Sequence, residues 1–460
     1  MTVKLILSTG LSFFVAVIIG SAQEPAGLVT GEGVETGAVH DSKNTNALTL
    51  ADALILAEQR NLNLLVAQEE RKIADGKYIE FRSHALPQLS LQAQYMHLDD
   101  VTTVEMEGGS FQLGQLDNYE AAAKMSQSLY SGGALQAALR MGKEGQAIAS
   151  RRTDHARSEL AYQVHALFNG TLLAKENVIV SREAVRTAEQ NLRDVTAQLK
   201  QGLARKFDLL RAKEQVSSRK ADSIAADNGL HKSRLRLFQV SGIPLNDKRS
   251  INGVLQYEPM DLSVSNAVTG AIANRNDIAA ANHAVELQRN AIALAKSTGH
   301  PQVGLFGETK YANPDRSFND EWETSWMVGV RATLPIFDGS LTKGKVLQEE
   351  ARLRQAKLKL ENLLSLVKLN VAQASVDIET TEQLVEARKG NVAEATEALR
   401  LARRGYDEGI LQQIDVLNTQ LSLSDSQQKY IEAVFRHVMA KRQLERVTGT
   451  LVRNVTERRK

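Results

Sequence analysis

Two long stretches of the chain place apolar residues at alternating steps of four and three. The first line runs Leu160, Val164, Leu167, Thr171, Ala174, Val178, Ser181, Val185, Ala188, Leu192, Val195, Leu199. The second runs Val367, Val371, Ala374, Ile378, Thr381, Val385, Arg388, Val392, Ala395, Leu399, Ala402, Tyr406. A repeat averaging about 3.5 residues over six heptads is the mark of coiled-coil packing. The small or polar entries at Thr171, Ser181, Thr381 and Arg388 predict looser packing at those points. None of the seven prolines falls in 133–243 or 338–460, so both stretches can stay helical. The pattern predicts a helix over 134–201, about 100 Å long at the usual rise, broken at Gly202 and followed by a returning helix over 207–240. A second such hairpin is predicted over 340–405 and 411–448, broken at Gly409.

The segments between change period. Leu89, Leu91, Ala93 and Tyr95 alternate with Ser90, Gln92 and Gln94, and Trp326, Val328, Val330, Ala332, Leu334 and Ile336 alternate with Met327, Gly329, Arg331 and Thr333. Segments 119–130 and 302–311 alternate more weakly, while 99–117 and 313–324 read as loops. Strands of about 10 residues, apolar on one side only, match transmembrane barrel strands. The alternative is an amphipathic periplasmic sheet. Trp322 and Trp326 flank the strongest strand, where an aromatic girdle would sit.

The chain also repeats itself. Pro87-Gln88-Leu89-Ser90-Leu91 returns as Pro301-Gln302-Val303-Gly304-Leu305, an offset of 214, and later pairs such as Gly202 and Gly409 or Asp208 and Asp415 are 207 apart. The unit copied is a helix, two strands and a long helical hairpin, once over 48–242 and again over 264–449. Residues 243–263 link the repeats and 450–460 form a tail. Residues 1–22, with one Lys, an apolar run from Leu5 to Ile19 and Gly20-Ser21-Ala22, read as a signal peptide; the run falls short of the roughly 20 residues of a membrane span. Residues 23–47 read as a flexible leader.

Counting strands then limits the assembly. Sheet edges cannot be left open in lipid, and the smallest usual barrel has eight strands. Four strands per chain therefore cannot close a barrel, and several copies must share one. The absence of cysteine excludes disulfides, thiolate metal sites and a lipid anchor on Cys. A formal net charge of +2 gives no sign of a nucleic-acid partner. Gly339-Ser-Leu-Thr-Lys-Gly344-Lys345-Val346 approaches a phosphate-binding loop, but Val346 stands where the Mg²⁺-binding hydroxyl is needed. The nine histidines show no metal-ligand spacing. No cofactor and no enzyme chemistry is expected.

With duplicated strand pairs, long hairpins and Gly…Asp tips, the chain resembles the TolC-like outer-membrane efflux factors from about residue 48 to 450. The motifs that carry the resemblance are Gly202-Leu-Ala-Arg-Lys-Phe-Asp208-Leu-Leu-Arg-Ala212 and Gly409-Ile-Leu-Gln-Gln-Ile-Asp415-Val-Leu-Asn418, with Leu-Tyr-Ser-Gly-Gly at 129–133 and Leu-Pro-Ile-Phe-Asp-Gly at 334–339. The resemblance implies an α+β membrane protein: a homotrimer with a twelve-stranded barrel in the outer membrane of a Gram-negative bacterium and a helical tunnel through the periplasm. A mixed α/β belt would form from 243–263, 48–55 and the C-terminal end. It also implies a periplasmic adaptor and an inner-membrane pump, of the proton-driven (RND) or ABC type, as partners. By motif, Gly202, Leu203, Gly409 and Ile410 match the adaptor-contact tips, and Asp208, Tyr406, Asp415 and Asn418 the closing constriction. Two positions depart from the family: Asn418 stands for an aspartate and Leu411 for an arginine. Three Asp415 carboxylates brought to one narrow place would favour cations; Asp208 and Asp415 also fit plain helix caps. The functions in play are a passive export duct for an efflux pump, the same duct in type I protein secretion, or a periplasmic coiled-coil scaffold without a pore.

Overall fold

The computed structural model describes residues 47–106, 109–260, 263–314 and 321–451; the expected signal peptide and nearly all of the leader and tail lie outside them. Strand β1 (Ala47–Leu48) leads into helices α1 (Leu50–Arg60) and α2 (Leu62–Ser83). Strands β2 (Gln88–His97), β3 (Thr102–Met106), β4 (Gly109–Leu113) and β5 (Asp117–Tyr130) follow, then helices α3 (Ala134–Lys200) and α4 (Lys206–Val240). After β6 (Ser250–Ile251) the order returns: α5 (Val264–Asn274), α6 (Asn276–Ser297), β7 (Gln302–Asn313), β8 (Glu323–Thr333), α7 (Leu341–Asp407) and α8 (Gln413–Val447). Corresponding helices of the two halves have equal lengths: 11, 22, 67 and 35 residues.

Several sequence expectations need correction. Each half opens with two helices, not one, because Asn61 and Arg275 are extended and break the rod. Ala47 belongs to a strand rather than the leader, and Leu451, at the start of the tail, is buried. Segment 99–117 contains the β3–β4 hairpin, built on the strand-favouring Thr102, Thr103, Val104 and Phe111. Strand β8 stops at Thr333, short of Leu334 and Ile336, because Pro335 has no N–H to give to a ladder. Packing is not looser at Thr171 and Ser181, which are both buried. Their hydroxyls donate to the Leu167 carbonyl (2.7 Å) and the Val178 carbonyl (2.9 Å) of their own helix, so no donor is left unsatisfied in the seam.

The root of each hairpin is fastened in the same way. The Asn61 side chain donates to the Val240 carbonyl (2.9 Å), and Arg275 donates to the Val447 carbonyl (3.0 Å). Glycines with positive φ follow each helix end, and both are packed tight. A side chain at Gly242 would strike Arg60, and one at Gly449 would strike the backbone of Asn274. The parallel pair β1–β6 joins Leu48 and Ile251 to a core with Phe168, Leu237, Phe238 and Leu451. A second core gathers Ala271, Ile278, Val367, Val371 and Leu444.

Beyond the other helix ends lies an antiparallel sheet in the order β2-β5-β7-β8. Its register separates two faces. One carries Leu89, Leu91, Tyr95, Tyr119, Ala121, Ala123, Leu305, Tyr311, Trp326, Val328 and Val330, the other Gln88, Ser90, Gln92, Gln94, Glu120, Lys124, Glu308, Lys310 and Arg331. The apolar face is bare: Leu89, Leu91 and Trp326 are 78, 82 and 71% exposed. At one end of it Tyr95, Tyr119, Trp322 and Tyr311 form a row with ring centres 5.0, 5.9 and 4.8 Å apart; Trp322 lies just outside β8. Strands β2 and β8 are the sheet's edges, with no partner strand on their outer sides among the described residues. Among the described residues no helix is long and apolar enough to cross a membrane.

Candidate gate at the helix tips

At the end of each hairpin far from the sheet, the chain must reverse within a few residues. Gly202 and Gly409 both take φ of +75°, a left-handed conformation that costs side-chain-bearing residues about 1–2 kcal/mol. The returning N–H of Leu203 donates to the Gln198 carbonyl (2.9 Å), and that of Ile410 to the Gly405 carbonyl (2.8 Å). These six-to-one bonds satisfy carbonyls left open at a helix end. The next helix is then capped by the predicted aspartates. Asp208 Oδ2 accepts from the Arg205 N–H and Asp415 Oδ2 from the Gln412 N–H, each at 3.0 Å. Capping is therefore part of what both aspartates do, and the negative charge also suits the positive end of the helix.

The two tips are joined by polar bonds between the hairpins. The Tyr406 hydroxyl donates to Gln198 Oε1 (2.8 Å), and Gln413 Nε2 donates to Asn191 Oδ1 (2.8 Å). The Tyr406 ring also packs against the buried cluster of Leu399, Ala402 and Val416. Of the sequence-predicted gate residues, Tyr406 thus bridges the hairpins, Asp208 and Asp415 cap helices, and Asn418 is exposed on α8. Asp208 and Asp415 make no hydrogen bond to each other. Leu411, where the family has an arginine, lies over Gly405: a side chain added there would meet Leu411 Cδ1 at 2.9 Å. The predicted adaptor-contact residues lie at the turns, with Leu203 75% and Ile410 73% exposed. Phe207 and Leu210 add further exposed apolar surface to the first tip.

Sequence reasoning missed Gln198, Asn191 and Gln413. Amides on helix faces carry no pattern of their own, and only their distance from Gly202 and Gly409 could have marked them. Among the described residues no group of three or more His, Asp or Glu could hold a metal ion.

Comparison with known proteins agrees with this architecture. The family model "Outer membrane efflux protein" matches residues 53–243 and 267–450. The alkaline protease secretion protein AprF of Pseudomonas aeruginosa is 21% identical over 88% of this chain and 85% of its own length. The outer membrane protein TolC of Vibrio cholerae is 24% identical over 88% and 91%. In three dimensions the Campylobacter jejuni CmeC outer membrane channel aligns with a TM-score of 0.76 at 17% identity, over 94% of this chain and 97% of that one. VceC of Vibrio cholerae, another outer membrane protein, aligns at 0.74 and 19%, over 87% and 96%. With both halves of the chain inside the family model, the protein belongs to the outer membrane efflux protein family.

Proposed function

We propose that three copies of this chain form an export duct, with a twelve-stranded barrel in the outer membrane and a helical tunnel below it. The observation that carries this reading is the sheet: its apolar face is bare, its other face is polar, and both of its edges are open among the described residues. In lipid the bare face is covered and the open edges must pair. The internal repeat supplies the register for that pairing. Met125 faces Gly307 between β5 and β7. Adding the offset of 207 to 125 and subtracting 214 from 307 puts Ala332 of one copy opposite Ala93 of the partner subunit. Both residues lie on the apolar face, so the transferred register keeps the two faces of the sheet apart.

The tips are the gate in this reading. Tyr406 and Gln198 hold neighbouring hairpins together, the three Asp415 carboxylates gather at the narrow end, and Asn418 lies one helical turn above them. Gly202, Leu203, Gly409 and Ile410 present the surface that a periplasmic adaptor engages, and an inner-membrane pump of the RND or ABC type supplies all the energy. The segment 243–263 belongs to a belt around the tunnel. The likeness to a relative named for alkaline protease secretion supports a second reading, the same duct in type I protein secretion. A periplasmic scaffold without a pore has no use for a sheet with a bare apolar face. Purified protein in planar lipid films tests the duct: stepwise conductance is expected, and a monomeric, silent protein would overturn the reading. Asp415→Ala is expected to reduce cation selectivity, and an unchanged reversal potential would count against the acidic ring.

A further inference from the structure

The polar face of the sheet carries a charge left without an acidic partner among the described residues. Most of its ions are matched: Lys310 pairs with Glu120 (2.6 Å), and Lys124 stands opposite Glu308 and donates to Gln92 (3.0 Å). Arg331 is different. It sits opposite Gly304, and Glu308, the nearest acid of the same face on β7, stands opposite Met327, four residues further along β8. No carboxylate lies within ion-pair distance of it among the described residues. Pairing with another copy would not supply one, because the polar face of β2 offers only Gln88, Ser90, Gln92, Gln94 and Met96.

Arg331 is nonetheless placed, not merely solvated. Its guanidinium lies 5.2 Å from the centre of the Phe306 ring, within cation–π range. Gly329 makes room for that ring, since a side chain there would meet Phe306 Cζ at 2.7 Å. A large aromatic ring on the polar face of the sheet is a departure from its alternation. Beside the pair opens a cavity of about 690 Å³, where Phe81, Leu135, Leu294 and Phe306 supply apolar wall near Arg331, with Gln88 and Ser126 among its polar lining. A volume of this size takes a drug-sized molecule. Apolar walls bind a hydrocarbon body, and a free guanidinium binds a carboxylate or sulfonate with two parallel N–H bonds.

We infer that Arg331 and Phe306 form a binding station for amphipathic organic anions at the base of the sheet, one in each chain. The inference rests on the proposal that this face lines the duct. A flat aromatic anion lies against Phe306 with its charged end on Arg331, and three such stations make a cationic ring where the tunnel enters the barrel. The duct then holds opposite charges at its two ends, carboxylates at the tip and guanidinium groups at the barrel base.

The test is current block in planar lipid films by 1-naphthalenesulfonate added on the barrel side. Wild-type channels are expected to be blocked by it and not by the cationic 1-naphthylmethylamine at the same concentration. Arg331→Gln is expected to raise the half-blocking concentration about ten-fold or more, the loss of a charge-assisted hydrogen-bond pair. Phe306→Leu, which keeps an apolar side chain, is expected to raise it several-fold. Arg331→Lys keeps the charge but loses the planar fork, and falls between wild type and Arg331→Gln. Equal block of wild type and Arg331→Gln, or equal block by the amine, overturns the station while leaving the duct intact. A protein that forms no channels at all overturns the duct reading and the station together.

Discussion

The two ends of the long hairpins are held by different forces. At the root, Phe238, Leu48, Leu451 and Leu237 are fully enclosed, and each helix end is tied by a side chain to its last carbonyl. At the tips the apolar cluster is built on Leu399, Ala402 and Val416, with Val195, Ala212 and Leu417 buried near it and no buried side chain there as large as Phe238, and the hairpins are bridged by hydrogen bonds of neutral groups. A net contribution of about 1 kcal/mol for each such bond lies close to thermal energy, whereas an enclosed Phe contributes several times that. In the proposed duct this contrast assigns the root the part of a fixed frame and the tip that of a latch which a modest binding energy can open.

The contrast can be broken from either side. Phe238→Ala at the root is expected to cost about 3–5 kcal/mol, seen as a lower melting temperature with the tip geometry unaltered. Asp277→Asn comes next. Burial pushes the Asp277 carboxyl up, but the paired hydrogen bonds and charge of Arg275 outweigh it and hold the carboxyl below its ordinary value. A depressed carboxylate contributes stability above the unfolded pKa of about 4 and loses it as pH falls through the folded value. Asp277→Asn is therefore expected to melt earlier than wild type at pH 7, by about 1–3 kcal/mol, with the gap closing below about pH 4. Melting curves across pH check both the size and the window.

Changes at the tips are expected to alter stability less and gating more. Gly409→Val forces a branched side chain into left-handed backbone, costing about 1–2 kcal/mol, and distorts the turn that carries Ile410. Tyr406→Phe removes one hydrogen bond to Gln198, worth about 1 kcal/mol or less. Its melting temperature is expected to stay near wild type while its open time in planar lipid films rises. A variant that loses stability like a root variant, with gating unchanged, would show that the tip is frame rather than latch.

Much of the frame was legible in the sequence because periodic burial leaves a periodic record. The heptads over Leu160–Leu199 and Val367–Tyr406 fixed the long helices to within two or three residues, and Gly202 and Gly409 marked the turns. The alternation around Leu89 and Trp326 marked the strands. The break at Arg275 went unread because arginine suits a helix, that at Asn61 because the N-cap signal of asparagine was passed over, and the root clamps join residues some 170–180 positions apart. At the tip, Asp208 and Asp415 stood out by their repeat, while Gln198, Asn191 and Gln413 depend on how two hairpins meet, which no local pattern encodes. Thr171 and Ser181 looked like flaws because a hydroxyl's bond to its own helix is invisible in a list of apolar positions.

The proposed duct depends most directly on pairing of the two open sheet edges between copies. The chain has no cysteine of its own, so Ala93→Cys combined with Ala332→Cys reports that pairing without background. In one copy these residues sit on opposite edges of the sheet and cannot meet. Oxidation of the detergent-extracted double variant is expected to yield a covalent ladder ending at three chains, with either single variant giving at most pairs. A double variant that stays monomeric after oxidation, with both thiols free, would contradict the shared sheet.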